Sequence, residues 1–214
     1  MVRHLYSLGM QHRLFISKPL EYMIEGCRIE HYPRWVEAGL TTCWMEALKE
    51  ELDWRQDTIR LFGKEHLIPR LNAWYGDSGT DFSYSGIPLK AIEWTQTLRT
   101  IRSRIEAQWQ VSLNSVLANW YRTGLDKMGW HSDDEKQMCP HSPIVSLSLG
   151  AARKMQFKSK DASNSERWSL LLEDGDVLVM YPPTQDKLKH CIPMMRKVTT
   201  ERLNLTFRKC LLQS

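Results

Sequence analysis

RLNLTFR, from Arg202 to Arg208, is the stretch from which the fold can be read. Leu203, Leu205 and Phe207 share one face of an extended chain, and Arg202, Asn204, Thr206 and Arg208 share the other, because successive side chains of a strand point to opposite sides. In isolation the simpler reading is a sheet edge with a solvated polar face. Two arginines and an asparagine on one side could instead line the mouth of a barrel and hold a dicarboxylate through charge-assisted bonds.

The same texture of short apolar runs separated by turns extends back along the chain. It includes NSVLANWYR (114–122), IVSLSLGA (144–151), RKMQFKS (153–159), RWSLLLE (167–173), DVLVMY (176–181) and LKHCI (188–192). Asp174-Gly175 between two runs is a hairpin signal. Strands at this spacing predict an antiparallel sandwich or barrel such as a jelly roll. Upstream, residues 34–55 and 89–108 have helical periodicity. Trp44, Leu48 and Leu52 face inward in the first, with Thr41 or Thr42 as its N-cap. Ile92, Leu98, Ile101 and Ile105 face inward in the second. The expected fold class is α+β: a β-rich barrel carrying an N-terminal helical layer.

Composition sets the outer limits. With 214 residues, 42% apolar and nine Trp, the chain has the length of one domain with a sizeable core. Its longest stretch free of Asp, Glu, Lys and Arg runs 16 residues, 137–152, too short and too polar for a membrane span. The first residues carry neither a long apolar run nor a small-residue cleavage site. Five Cys with no CxxC argue against a disulfide framework or a Cys-based zinc site. Residues 151–214 hold 12 basic and 7 acidic side chains, a mild imbalance that suits a polyanion.

The chemistry-bearing residues come next. In His131-Ser132-Asp133 the imidazole and the carboxylate point the same way, and Ser132 points away. His190 follows on a predicted strand. Two His and one carboxylate are the facial triad of non-haem Fe(II) oxygenases, which leaves three metal positions open. The competing readings are a packed barrel histidine at His190 and a zinc hydrolase with water as fourth ligand. A hydrolase has no use for the arginine pair Arg202 and Arg208. Asn119 and Tyr121, at i and i+2 of another strand, could add neutral donors.

Five segments in this order are specific: PRLNAWYGD (69–77), NWYRTGLDKMGWHSDDE (119–135), SPIVSLSLGA (142–151), His190 and RLNLTFR (202–208). On them the chain resembles the AlkB family of Fe(II)- and 2-oxoglutarate-dependent dioxygenases over residues 58–210, nearest in motif to its duplex-DNA-acting branch. The resemblance implies a double-stranded β-helix (jelly roll). Residues 1–57 would form an N-terminal extension with an amphipathic helix packed on the core, and 58–214 the dioxygenase domain, in a single structural domain overall.

It further implies iron on His131, Asp133 and His190. Arg202, Tyr121 and Asn204 would receive the distal carboxylate of 2-oxoglutarate, with Arg208 and Asn119 near the carboxylate that chelates iron. Dioxygen is the second co-substrate. The implied activity is oxidative demethylation of bases such as 1-methyladenine and 3-methylcytosine in DNA, releasing formaldehyde, succinate and carbon dioxide. A target base must leave the stack to be reached. Tyr84 matches the family's stacking aromatic, with Phe82 and Ser85 as pocket wall. Glu135 matches the base-contacting position, and Asp134 with Glu135 would favour a cationic base. Arg70 and Tyr75 would contact substrate or backbone. Phe62, in Leu61-Phe62-Gly63-Lys64, resembles the apolar finger that fills the gap left by a flipped base. The partner is then single- or double-stranded alkylated DNA. Alternatives are methylated RNA, a protein side chain, or a nucleic-acid-binding module without catalysis. A monomer is expected, in the cytoplasm, or in the nucleus of a eukaryote.

Overall fold

The computed structural model describes residues 18–61, 64–84 and 87–212. Among these residues fifteen strands and three helices follow in chain order. β1 (Leu20–Ile24) and β2 (Cys27–Tyr32) precede α1 (Ala38–Glu51). Next come the hairpin β3 (Thr58–Leu61) and β4 (Lys64–Leu67), then β5 (Leu71–Gly76), the short pair β6 (Phe82–Tyr84) and β7 (Ile87–Leu89), and α2 (Gln96–Trp109). The remainder is β8 (Ser115–Tyr121), β9 (Met128–His131), β10 (Ile144–Gly150), β11 (Arg153–Ser159), β12 (Arg167–Leu172), β13 (Val177–Met180), α3 (Thr184–Lys187), β14 (Leu188–Ile192) and β15 (Arg202–Arg208).

Two antiparallel sheets make the barrel. The larger has seven strands, ordered β1-β2-β13-β10-β15-β8-β5, and the smaller four, ordered β12-β11-β14-β9. β15 is therefore a central strand, hydrogen-bonded to β10 on one side and β8 on the other. Its apolar face packs under the helices: Leu203, Leu205 and Phe207 share a core with Trp44 and Leu48 of α1 and Leu98, Ile101 and Ile105 of α2. Each such fully buried side chain contributes about 1.5–3 kcal/mol. The polar face is buried as well. It looks into the space between the sheets, whose wall is Tyr121, Met128, Met155, Phe157, Met180 and Ile192. A solvated edge is excluded, and the buried polar groups must find partners or a ligand.

Helix starts differ from the expected ones. α1 begins after Glu37, and Thr41 lies inside it, its hydroxyl donating to Ala38 O and to Asp174 Oδ2. α2 begins later than residue 89, where the Thr95 hydroxyl accepts from the Leu98 amide at 3.3 Å. The Asp174-Gly175 turn makes no hairpin, because β12 and β13 belong to different sheets. It is a corner that carries the chain from the small sheet to the large one. Gly175 has φ +80°, and a Cβ there would stand 2.3 Å from Val36 O, so only glycine fits. Asp176 locks the corner by accepting from the Glu173 and Arg34 amides, and its carboxylate meets His31 Nε2 at 2.7 Å.

The described residues before position 58 are built into these layers. β2 pairs with β13, and α1 shares its core with β10 and β15. No helix among the described residues is long and apolar enough to cross a membrane.

Candidate metal and co-substrate centre

His131 ends β9 and His190 lies in β14, and the two are register partners across the small sheet. Pairing alone brings the imidazoles together, with ring centroids 4.2 Å apart. Asp133 follows two residues after His131. One carboxylate oxygen lies 3.8 Å from His131 Nε2 and the other 3.8 Å from His190 Nε2. The three ligand atoms lie within 4.8 Å of one another, the one such grouping of three or more His, Cys, Asp or Glu among the described residues. Cys139 and His141, a few residues further along the chain, are not part of it.

The electrostatics favour a cation there. His131 Nδ1 meets Gly129 O at 2.9 Å, which assigns the proton to Nδ1 and leaves Nε2 with a bare lone pair. Burial pushes both imidazoles toward the neutral form, reinforced at His190 by neighbouring His131. For Asp133 burial alone would raise the pKa, but Arg208 and the two histidines outweigh it and hold the carboxyl low. Asp133 Oδ2 is buried without a hydrogen-bond partner among the described residues. Two neutral imidazoles and one bare carboxylate oxygen fit a divalent iron.

The cavity beside the triad is lined by Asn119, Tyr121, Ser146, Arg202, Asn204 and Arg208, with methionine walls. Arg208 Nη2 donates to Asp133 Oδ1 at 2.7 Å, so this guanidinium sits next to the metal position. Arg202 lies at the other end. It is 1% exposed, donates to Ser148 Oγ at 2.9 Å and lies over the Tyr121 ring at 5.4 Å. Its Nε and Nη1 are buried with no partner among the described residues. Burial lowers it to about 10, still cationic at neutral pH. A cation that lacks its anion at one end, and a metal face at the other, fit a bidentate oxo acid with a far carboxylate.

Other expected residues divide. Arg70 is buried, and its Nε donates to Asn119 Oδ1 at 2.7 Å, which leaves the Asn119 NH₂ as donor toward the cavity. Asn204 lines the cavity, but its NH₂ is engaged by Ser146 Oγ and Leu147 O. Asp134 is exposed and paired with Lys160 at 2.6 Å. Glu135 is half-buried beside a second pocket bounded by Asp133, Met138, Tyr181 and Gln185, and burial and neighbouring Asp133 raise it to about 7 despite Arg208.

Tyr75 is a correction. Strand alternation turns it to the helical side, where its ring is in the core and its hydroxyl accepts from the Asp53 amide. It does not line the cavity. Phe62 and Ser85 lie outside the described residues. So do the side chains of Phe82 and Tyr84, whose backbone forms β6.

Sequence reasoning missed Ser146, Ser148, Arg153 and Gln185. The serines were visible as the polar alternates of IVSLSLGA. Arg153 is 1% exposed, donates to Thr123 O, Asp126 O and Pro193 O, and stacks on Tyr121 at 5.3 Å. No local pattern announces a buried arginine serving backbone carbonyls.

A jelly roll holding a two-histidine, one-carboxylate face beside a cationic clamp defines a mononuclear iron oxygenase that uses an oxo acid. A family profile described as the 2OG-Fe(II) oxygenase superfamily matches residues 28–208. The chain belongs to that superfamily, and to the AlkB family within it. It is 40% identical over 160 residues to "DNA oxidative demethylase ALKBH2" of Homo sapiens, covering 72% of this chain and 61% of that protein. The mouse protein of the same name is 39% identical over 159 residues, covering 72% and 66%. Human "Alpha-ketoglutarate-dependent dioxygenase alkB homolog 3" is 34% identical over 189 residues, covering 85% and 65%. The chain thus spans less than two thirds of the length of these relatives. A solved structure, "The structure of OsALKBH1", shares the fold with TM-score 0.58 and 16% identity, covering 85% of this chain and 96% of that one.

Proposed function

We propose that this chain demethylates alkylated bases in DNA, consuming 2-oxoglutarate and dioxygen and releasing formaldehyde, succinate and carbon dioxide. The supporting observation is the convergence of three metal donors within 4.8 Å on a cavity that also holds buried Arg202 and Arg208. His131, Asp133 and His190 would hold iron. When bound, the iron supplies the dioxygen chemistry that oxidises the co-substrate to succinate and carbon dioxide and the N-alkyl carbon to formaldehyde. Arg202 and Tyr121 hold the far carboxylate of 2-oxoglutarate. Arg208 and the Asn119 NH₂ stand at its metal end. Asn204, its own donors engaged, holds the cavity wall. The methionine walls keep water from the site.

The methylated bases 1-methyladenine and 3-methylcytosine are cations and their products are neutral. Glu135 and Asp134 at the neighbouring pocket favour the charged substrate, and Arg70 fixes the edge of the site through Asn119. Tyr84, Phe82 and Ser85 are assigned to stacking and the pocket wall, and Phe62 to the wedge, on family resemblance. The chain acts as a monomer, in whichever compartment holds the DNA.

The outer face of the small sheet supports a polyanionic partner. Arg167, Lys158 and Lys189 are register neighbours across three strands. Like charges side by side destabilise a sheet. None of the three forms an ion pair among the described residues, and Trp130 lies beneath Lys158 at 4.9 Å and Arg167 at 5.6 Å. Trp130 and Lys189 each adjoin a metal-ligand histidine, on the opposite face. A row of phosphates would relieve this repulsion. Replacing Lys158 or Arg167 by alanine should lower the slope of log affinity against log salt for an oligonucleotide by about 0.7–0.9, leaving metal binding unchanged. An unaltered slope in both variants removes this face from the interface.

The direct test supplies Fe(II), 2-oxoglutarate and methylated oligonucleotides as single strand, duplex and RNA. Formaldehyde and succinate should appear in equal amounts with DNA. Greater release from RNA would favour the alternative polymer. Succinate without formaldehyde from any of the three overturns the reading.

A further inference from the structure

Asp133 stands just beyond the end of β9, where no ladder strand receives its amide. A side chain does so instead: the Asp133 N–H donates to Gln185 Oε1 at 2.9 Å. One residue earlier, Ser132 Oγ donates to Leu188 O at 2.8 Å. Both partners belong to the short stretch that leads into His190. Gln185 sits in the four-residue helix α3, and its Nε2 rests 3.5 Å from the sulfur of Met180, a buried residue of the cavity wall. The carboxylate of Asp133 is held at its far end by Arg208 at 2.7 Å.

Asp133 is therefore gripped at both ends. Arg208 sets the direction of the carboxylate, and Gln185 sets the backbone from which it projects. We propose that Gln185 is a positioning residue for the metal, with Ser132 as its companion, tying the aspartate ligand to the chain that bears the second histidine. This rests on the reading of His131, Asp133 and His190 as iron ligands.

The physical reason is geometric. Two imidazoles on paired strands are placed by the sheet itself, but a ligand past the strand end can swing about its own φ and ψ. Partners that fix the ligands are worth about 10–100-fold in metal affinity. Gln185 also lines the pocket beside Glu135, and its two partners, Asp133 and Met180, line both that pocket and the metal cavity.

The test titrates the metal-free full chain with Mn(II), a redox-stable stand-in for Fe(II), following free Mn(II) by its paramagnetic resonance signal. Gln185→Leu has similar bulk and no acceptor, and it should weaken Mn(II) binding by about tenfold or more. Its metal-free melting temperature should fall by a few degrees at most, the cost of one unpaired amide. Gln185→Glu keeps an oxygen at the same reach and should recover the affinity. Ser132→Ala should shift in the same direction as Gln185→Leu. An unchanged Mn(II) affinity in Gln185→Leu overturns the proposal, as does a Gln185→Glu variant no tighter than Gln185→Leu. A lowered metal-free melting temperature with unaltered affinity shows a purely structural role and also overturns it. No oligonucleotide enters this experiment. A chain that shows the Mn(II) pattern yet demethylates nothing would count against the proposed function alone.

Discussion

Asp133→Ala is expected to abolish metal binding and succinate formation together and, in the same stroke, to weaken the fold. The second effect follows from Arg208, which is 2% exposed and has Asp133 as an ion-pair partner at 2.7 Å. When a buried pair loses one member, the remaining charge keeps its desolvation penalty without that compensation, and the usual loss is about 3–5 kcal/mol. Urea unfolding of the metal-free variant should show this before any assay is run. His131→Ala separates the two effects. Its ring is tied by a single hydrogen bond to Gly129 O, so stability should change by about 1 kcal/mol while metal binding still fails. Succinate formation surviving in either variant would exclude this triad as the metal site.

Arg202→Met should do the reverse, losing ligand binding without losing stability. The guanidinium is fully buried, with a hydrogen bond to Ser148 and two nitrogens, Nε and Nη1, lacking partners among the described residues. In the ligand-free protein that is an unfavourable arrangement, and an apolar side chain of similar length relieves it. The ligand-free melting temperature should hold or rise. Binding of 2-oxoglutarate should weaken by about 2–5 kcal/mol, at least roughly thirtyfold in dissociation constant, because a buried carboxylate would face no cation. Metal affinity should stay put, since Arg202 touches none of the three ligands. Unaltered 2-oxoglutarate affinity would rule out Arg202 as the clamp. Arg208 cannot be tested so cleanly, because its bond to Asp133 couples co-substrate and metal.

The legible parts of the fold were those with a local period. β15 could be read from RLNLTFR, and the inward residues Leu98, Ile101 and Ile105 of α2 from their helical spacing. His131 and Asp133 were legible because i and i+2 share a side. The failures have one cause. Tyr75 lies on a strand where only alternation distinguishes the helical side from the cavity side, and nothing local says which is which. Asp174-Gly175 is a tight turn in sequence and in space, yet the turn does not specify whether the strands it joins pair with each other. Gln185 and Arg153 hold backbone groups 52 and 27–40 residues away, respectively, with no sequence signature for such bonds.

What the sequence alone determined is which residues share a face: three apolar against four polar in β15, two ligands in His-Ser-Asp, two serines in β10. The tertiary structure alone decided that the polar face of β15 is interior, that His190 lies opposite His131, and that Asp133 is gripped by Gln185 and Arg208. The reason is that periodicity is a property of one segment. Burial, charge compensation and ligand geometry depend on what another segment places opposite it, and that is settled only when the sheets close.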